Sequence, residues 1–332
     1  MHTKIYDDQL IVITGACGFI GSCVVKHLNN QGFFNLLLVD DFRSGEKWKN
    51  LVGKKYANLV SRYDLFDWLE GRESEIEAFI HLGACPSTVA VDGDYIQKNN
   101  YEFSIKLAEY ALQNEHRFIY ASSAATYGMT DNFSDDHAHL EHLRPLNLYG
   151  YAKHMVDLWL EQQGVLDQVV GLKYFNVFGP NEYHKNRMGS MVMHMTKHIL
   201  EEGVVRLFKS TQPCYQNGEQ SRDFIYVKEA VDITCSFLEN DLTGIFNVGM
   251  GKSTTWNDLA RAVFKALNKR EHIEYFDMPQ DLVDHYLSYT CADMSKYYRL
   301  VEEHDLPKIR HYSIEEGVAD YIQNYLLENK RW

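Results

Sequence analysis

No run of about 18 apolar residues occurs in this 332-residue chain, and a membrane-spanning helix needs one. There are only six prolines, and no Pro- or Ser-rich linker, internal repeat or low-complexity tract breaks the chain into beads. The six cysteines, at positions 17, 23, 85, 214, 235 and 291, form no CxxC pair and do not cluster with histidines. That spacing excludes a disulfide framework or a recognisable metal site and predicts free thiols in a reducing cytoplasm, with no metal bound. Positive charge is scarce: 33 Lys and Arg stand against 46 Asp and Glu, for a formal net charge of −13. Nucleic acid and anionic membrane surfaces both call for a basic face, so neither partner is expected. An anionic small molecule would need a local cationic pocket. Residues Met1 to Asp8 carry acidic side chains and no apolar stretch, so a secretory signal is not expected.

What is present points to a packed enzyme core. Hydrophobic residues make up 45% of the chain, and its length is comfortable for two domains. An apolar strand, Leu10-Ile-Val-Ile-Thr14, runs into Gly15-Ala-Cys-Gly18-Phe-Ile-Gly21 and then into an apolar-periodic helical segment, Cys23 to Leu28. Strand, glycine turn and helix form the cradle in which a dinucleotide pyrophosphate rests on a helix N-terminus. The spacing is GxxGxxG, and the flanks that the motif needs are both there. A second strand, Leu36-Leu-Leu-Val-Asp40, ends in an acidic residue about 20 positions further on, where a cofactor ribose would be met.

Strand-like and helical segments then alternate: Phe79 to Leu82, a helical stretch from Tyr95 to Leu112, Arg117 to Ala121, a helix containing Tyr149, and Val169 to Tyr174. Alternation of this kind predicts an α/β fold, a Rossmann-type doubly wound parallel sheet with helices on both faces. The expected division is 1–176, joined by about 222–251, as the nucleotide-binding domain, with 177–221 and 252–332 as a smaller α/β substrate domain. The active site belongs in the cleft between them.

In Tyr149-Gly-Tyr-Ala-Lys153 a phenol and an ammonium lie four residues apart on one helix face, after a plausible helix start at Pro145-Leu-Asn147. A tyrosine of pKa about 10 is a poor base at neutral pH unless a nearby cation favours its ionised form. Lys153 and a bound oxidised nicotinamide are the candidates for that charge. An isolated YxxxK also describes an ordinary amphipathic helix with a surface lysine, so the surrounding motifs decide.

Taken with Ser122-Ser123 and the glycine turn, the pair resembles the extended short-chain dehydrogenase/reductases that act on nucleotide sugars. A finer set is similar to the ADP-glycero-manno-heptose 6-epimerases: Tyr120 to Gly128, Pro145 to Lys153, Tyr174-Phe-Asn-Val-Phe-Gly-Pro180 and Glu182-Tyr-His-Lys185. The resemblance runs from near Leu10 to the C-terminal helix. It implies catalytic roles for Tyr149, Lys185, Lys153 and Ser123, with Lys185 as a second acid/base. Cofactor contacts are implied at Gly15, Gly18, Phe19, Ile20, Gly21, Asp40, Asp41, Lys47, Leu82, Gly83, Ala84, Cys85, Pro86, Asn99, Lys153, Val177 and Lys185. Substrate contacts are implied at Asn176, Arg187, His194, Phe208, Lys209, Ser210, Thr211, Arg222 and Tyr286. The same resemblance implies a cytoplasmic homo-oligomer that makes a lipopolysaccharide core heptose precursor.

Two bases make chemical sense. Inverting a secondary alcohol with no acidifying neighbour requires hydride to leave and return to the opposite face of a transient ketone. One group takes the hydroxyl proton and another protonates the alkoxide formed on return. Arg187 and Arg222 offer the planar fork that suits a pyrophosphate and supply the cationic pocket. Three departures from the family pattern stand out: Pro86 where a serine is usual, a longer segment Gln212 to Ser221, and Arg187 at a variable position. Asp40 and Asp41 favour NAD, whereas Arg43 and Lys47 could neutralise a 2′-phosphate; the resemblance favours NADP, with NAD as the alternative. Rival readings are another nucleotide-sugar epimerase such as a UDP-glucose 4-epimerase, a 4,6-dehydratase, for which Ala124-Ala125 lacks the acidic residue, and a non-catalytic NADP sensor.

Overall fold

The computed structural model describes residues 9–42, 45–283 and 286–332. Its central sheet has seven parallel strands: β1 (Leu10–Thr14), β2 (Leu36–Asp40), β3 (Asn58–Ser61), β4 (Ile76–His81), β5 (Arg117–Ser123), β6 (Val170–Tyr174) and β10 (Gly244–Val248). Their spatial order is β10-β6-β5-β4-β1-β2-β3. A parallel sheet covered on both faces needs strands that are apolar throughout, and β1 (LIVIT) is buried at every position. Period-two alternation divides the work: Ile11 and Ile13 enter the apolar core on one face, Leu10 and Val12 the core on the other. Each such aliphatic side chain contributes about 1.5–3 kcal/mol by leaving water.

The helices used below are α1 (Phe19–Asn30), α2 (Phe103–Gln113), α3 (Leu148–Gln162), α4 (Met191–Glu202), α5 (Val227–Ser236), α6 (Trp256–Ala266) and α7 (Ile314–Tyr321). Asn147 caps α3, its Oδ1 accepting from the Gly150 amide at 2.8 Å. Helix α1 begins at Phe19, directly after the glycine turn and four residues before the apolar periodicity of Cys23 to Leu28 starts. The stretch expected as one helix from Tyr95 to Leu112 is instead a short helix (Gly93–Ile96), a π-helical turn (Gln97–Glu102) and α2.

Two small sheets lie beyond the main one. Strands β7 (Asn176–Phe178), β9 (Ser221–Tyr226) and β11 (Ser253–Thr255) form a three-stranded sheet in the order β11-β9-β7, and β8 (Val205–Phe208) pairs in parallel with β12 (Ile273–Phe276). The span 222–251 therefore divides in two. Its first strand, β9, pairs with β7 and β11, outside the nucleotide sheet with which the sequence grouped it, while β10 takes the edge of the seven-stranded sheet beside β6. Strand β9 is nonetheless buried along almost its whole length, with Phe224, Ile225 and Tyr226 in the core. Among the described residues no helix is long and apolar enough to cross a membrane.

Candidate active site

The strand order reverses between β1 and β4, and ligands of open α/β sheets lie outside the carboxyl ends at such a switch point. There the backbone is packed as tightly as glycine allows. Gly15 has φ of +67°, and a Cβ on it would stand 2.8 Å from the Gly83 backbone; one on Gly21 would stand 2.2 Å from the Gly15 carbonyl oxygen. Gly18 begins α1 without any side-chain cap, which leaves the first-turn amides, from Phe19 and Ile20 onward, for an anion.

The rest of the cofactor set is gathered around that turn. Leu82 and Gly83 donate amides to the Thr14 carbonyl (3.2 Å) and hydroxyl (3.0 Å). Asn100 holds the Cys85 backbone through both its amide (2.8 Å) and carbonyl (2.9 Å), which fixes the segment from Ala84 to Cys85. Pro86 is exposed at the start of the following loop. Asn99 is buried in the π-helical turn, and its Oδ1 has no hydrogen-bond partner among the described residues. A buried, unpartnered acceptor beside an uncapped helix and a glycine cradle is what a dinucleotide would complete, so these residues fit that cofactor.

At the ribose end, Asp40 accepts from the Cys17 amide at 2.7 Å and pairs with Lys47 at 2.5 Å. Asp41 faces Arg62, 3.8 Å away, whose guanidinium stacks over the Tyr63 ring at 4.5 Å. Arg62 escaped the sequence reading because β3, which delivers it, was not recognised in the short run Asn58–Ser61. Arg43 lies outside the described residues, as does the span Met1 to Asp8.

The catalytic wall is built by β5 and α3. Ser123 ends β5 and its hydroxyl hydrogen-bonds to the Tyr149 phenol. Lys153 is no surface lysine: it is only 3% exposed and donates to the Ala121 carbonyl at 2.6 Å. Burial brings its pKa down to about 8, partly opposed by Asp157. Burial also raises the Tyr149 pKa, which the Ser123 hydroxyl counteracts and the nearby Cys85 thiol reinforces. The Lys153 ammonium is turned to the Ala121 carbonyl.

Behind that wall lies a buried network the motifs did not reveal. Asp157, one turn beyond Lys153, accepts from Tyr120 (2.9 Å), Ser122 (2.8 Å) and Lys173 (2.7 Å). Lys173 also donates to Thr126 Oγ1 at 2.6 Å, and Thr126 donates to the Ser123 carbonyl at 2.8 Å. The helix bearing Tyr149 and the strand bearing Ser123 are therefore fastened through one ion pair.

Lys185 sits on a 3₁₀ turn, Tyr183–Met188, and lines a cavity of about 260 Å³ with Asn176, Val177, Phe224 and Trp256 among its other walls. Its ammonium lies 5.3 Å from the Phe19 ring centroid, and burial lowers its pKa while Glu182 raises it. Because Ser123 pairs with Tyr174 across β5 and β6, Asn176 follows only two residues beyond the level of the catalytic serine. Ser123 and Asn176, a wall of the Lys185 cavity, thus lie at and just beyond the carboxyl ends of neighbouring strands.

The remaining substrate candidates divide. Arg222 lies over Tyr286 (5.0 Å) and Trp256 (5.8 Å), and Phe208 packs against Phe276 and Tyr286. Trp256, which donates to the Tyr286 hydroxyl at 2.8 Å, joins this aromatic group to the Lys185 cavity and was missed by the motif search. Lys209 pairs with Asp277 at 3.0 Å, and Ser210 and Thr211 open the long segment to Ser221. That segment is anchored by Asn257, which donates to the Asn217 carbonyl at 3.0 Å and to Glu219 at 2.7 Å. Arg187 is exposed on the Lys185 turn and His194 is half-buried in the first turn of α4; neither is among the residues lining the cavity.

Comparison with known proteins adds chemistry to this geometry. The model of a family described as NAD dependent epimerase/dehydratase matches residues 11–249. The ADP-L-glycero-D-manno-heptose-6-epimerase of Nitratidesulfovibrio vulgaris is 44% identical over 321 residues, covering 96% of this chain and 98% of that protein. The structure of the Helicobacter pylori ADP-L-glycero-D-manno-heptose-6-epimerase aligns with a TM-score of 0.79 at 26% identity and covers 96% of both chains. A UDP-N-acetylglucosamine 4-epimerase from Methanobrevibacter ruminantium aligns with the same TM-score and identity, over 97% of this chain and 99% of its own. Backbone shape by itself does not separate the two activities.

Proposed function

The chain belongs to the NAD dependent epimerase/dehydratase family, and we propose that it inverts C6 of the heptose in ADP-D-glycero-D-manno-heptose to give ADP-L-glycero-D-manno-heptose. The observation that carries this reading is the second ammonium, Lys185, half-buried in the wall of a cavity whose strand runs beside the Ser123 and Tyr149 edge. The chemistry a bound nicotinamide supplies is removal of hydride from C6 and its return to the opposite face of the 6-ketone.

The protein's residues do the proton work and the holding. Ser123 and Tyr149 share the C6 oxygen on one side, and Lys185 faces it from the other; a small rotation of the exocyclic carbon between half-reactions exchanges their roles. Which group is the base depends on the direction of turnover. Lys153, held at the Ala121 carbonyl, is placed to meet the cofactor ribose. Arg222, with Arg187 at the rim, offers forks to the pyrophosphate, and Trp256, Tyr286 and Phe208 form an apolar wall for the nucleotide. In the test, Tyr149→Phe and Lys185→Met each abolish epimerisation while nucleotide stays bound, and deuterium at C6 is retained within the same product molecule. Normal turnover in both variants would sink the reading.

A 4-epimerase remains a second reading because the Methanobrevibacter enzyme fits the backbone equally well. Assaying UDP-galactose beside ADP-heptose decides between them. For the cofactor we infer NADP, since Lys47 neutralises Asp40 and Arg62 stands by Asp41. The mass of the nucleotide released from purified protein checks it, and NAD alone would overturn it. A homo-oligomer working in the cytoplasm to supply a lipopolysaccharide core heptose precursor belongs to the same proposal, and sedimentation as a monomer would remove the oligomer from it.

A further inference from the structure

We propose that Glu182 is the positioning residue for Lys185, supplying the fixed negative charge that keeps the second acid/base group protonated and holding its turn against helix α4. The inference rests on the reading of Lys185 as an acid/base group and deepens it. The two stand three positions apart at one turn, and the carboxylate is fully buried at 0% exposure. It accepts from the Ser190 hydroxyl (2.6 Å) and amide (2.5 Å) and from the Gly179 amide (3.3 Å). Ser190 in turn caps α4 by accepting from the Met193 amide at 3.3 Å, so the Lys185 turn and α4 share one anchor.

Those three donors explain why an acceptor is buried here, but none of them requires a charge. They are neutral and spread over both oxygens, Oε2 taking the Ser190 amide and Oε1 the Ser190 hydroxyl and the Gly179 amide, and burying an ionised carboxylate without a cation is among the most costly arrangements in a protein interior. Burial raises the Glu182 pKa and lowers that of Lys185; against this the cation that acts on Glu182 is Lys185, and each group favours the charged form of the other. The other titratable groups around the pair do not replace it. His184, on the same turn, is held neutral with its pKa pulled down to about 4 by burial and by Lys185 and Lys47. Tyr183 and, from α7, Tyr321 are buried phenols whose pKa values are raised by burial and by the Glu182 charge, so both stay neutral beside it. From α1 the Phe19 ring faces Lys185, and the Arg331 guanidinium lies over the Tyr183 ring at 5.0 Å.

Backbone strain shows that this turn is held from outside. Asn186, next to Lys185, has φ of +48° and ψ of −118°, a conformation that persists only where surrounding contacts enforce it. Glu182 supplies one clamp. Asn181 supplies the other: its side chain exchanges hydrogen bonds with the Trp332 backbone (2.9 and 3.1 Å), and its carbonyl accepts from Asn50, which also donates to the Cys17 carbonyl in the glycine turn.

The experiment is the pH dependence of kcat for ADP-heptose epimerisation by the cofactor-loaded enzyme. In Glu182→Gln, the limb of the profile that reports Lys185 moves to lower pH by about one unit, because the ammonium loses its counter-charge, while the Tyr149 limb stays in place. Ser190→Ala, which keeps the charge and removes the cap, lowers Tm without moving either limb. Should Glu182→Gln not fold, Glu182→Asp draws the carboxylate back and gives a smaller shift of the same sign. A uniform loss of rate in Glu182→Gln with both limbs unmoved, or no shift in the Asp variant, overturns the inference and leaves Glu182 as a cap. Full turnover in Lys185→Met overturns the reading beneath it instead, so the two failures are distinguishable.

Discussion

The two sides of the cleft are built in opposite ways. The Tyr149 wall is regular structure: a capped fifteen-residue helix laid on a largely buried strand, cross-linked by Asp157 and Lys173. The Lys185 side is an irregular turn with a left-handed asparagine, hung on one buried carboxylate and on backbone contacts from distant parts of the chain. A group that must share a proton with Ser123 in a fixed geometry gains from a rigid frame. A group that must meet the other face of the same carbon has to come from beyond the sheet, where only a loop reaches it.

The comparison breaks most visibly at the ion pair. Lys173→Met leaves Asp157 buried and without its cation, and should cost about 3–5 kcal/mol in urea unfolding. No single variant of the Lys185 turn, Glu182→Gln included, should cost as much, because that turn stabilises a site rather than a core. A loss below about 1 kcal/mol in Lys173→Met would mean that the wall is not held as described.

The helix caps sharpen the contrast at a smaller scale. Asn147→Ala should cost about 1 kcal/mol of stability, as for an ordinary N-cap. Ser190→Ala loses its own cap and the hydroxyl donated to Glu182, so its Tm should fall further than that of Asn147→Ala. Equal shifts in Tm would mean that Glu182 does not lean on Ser190.

Much of the fold and half of the site could be read from local sequence. Strand β1, the glycine turn and α1 are adjacent in the chain, and their apolar run and glycine spacing report contacts within a dozen residues. The placement of Tyr149 and Lys153 on one face follows from helix geometry alone. What was not legible depends on partners far away. Strand β3 is too short to announce itself, so Arg62 went unnoticed; β9 looked like a strand of the nucleotide sheet but pairs with β7 and β11. Trp256 and Arg222 meet across 34 positions, and no spacing rule links them.

The sequence by itself determined the glycine turn and the doubly wound alternation of strands and helices, because each is set by side-chain period and by backbone requirements over a few residues, whereas Lys185 was singled out by resemblance alone. Only the tertiary structure decided that Lys153 faces the Ala121 carbonyl rather than solvent, that Asp157 and Lys173 pair behind Ser123, and that Glu182 is buried beneath Lys185. Burial and charge pairing arise where segments distant in the chain exclude water together, and that exclusion is a property of the packed molecule.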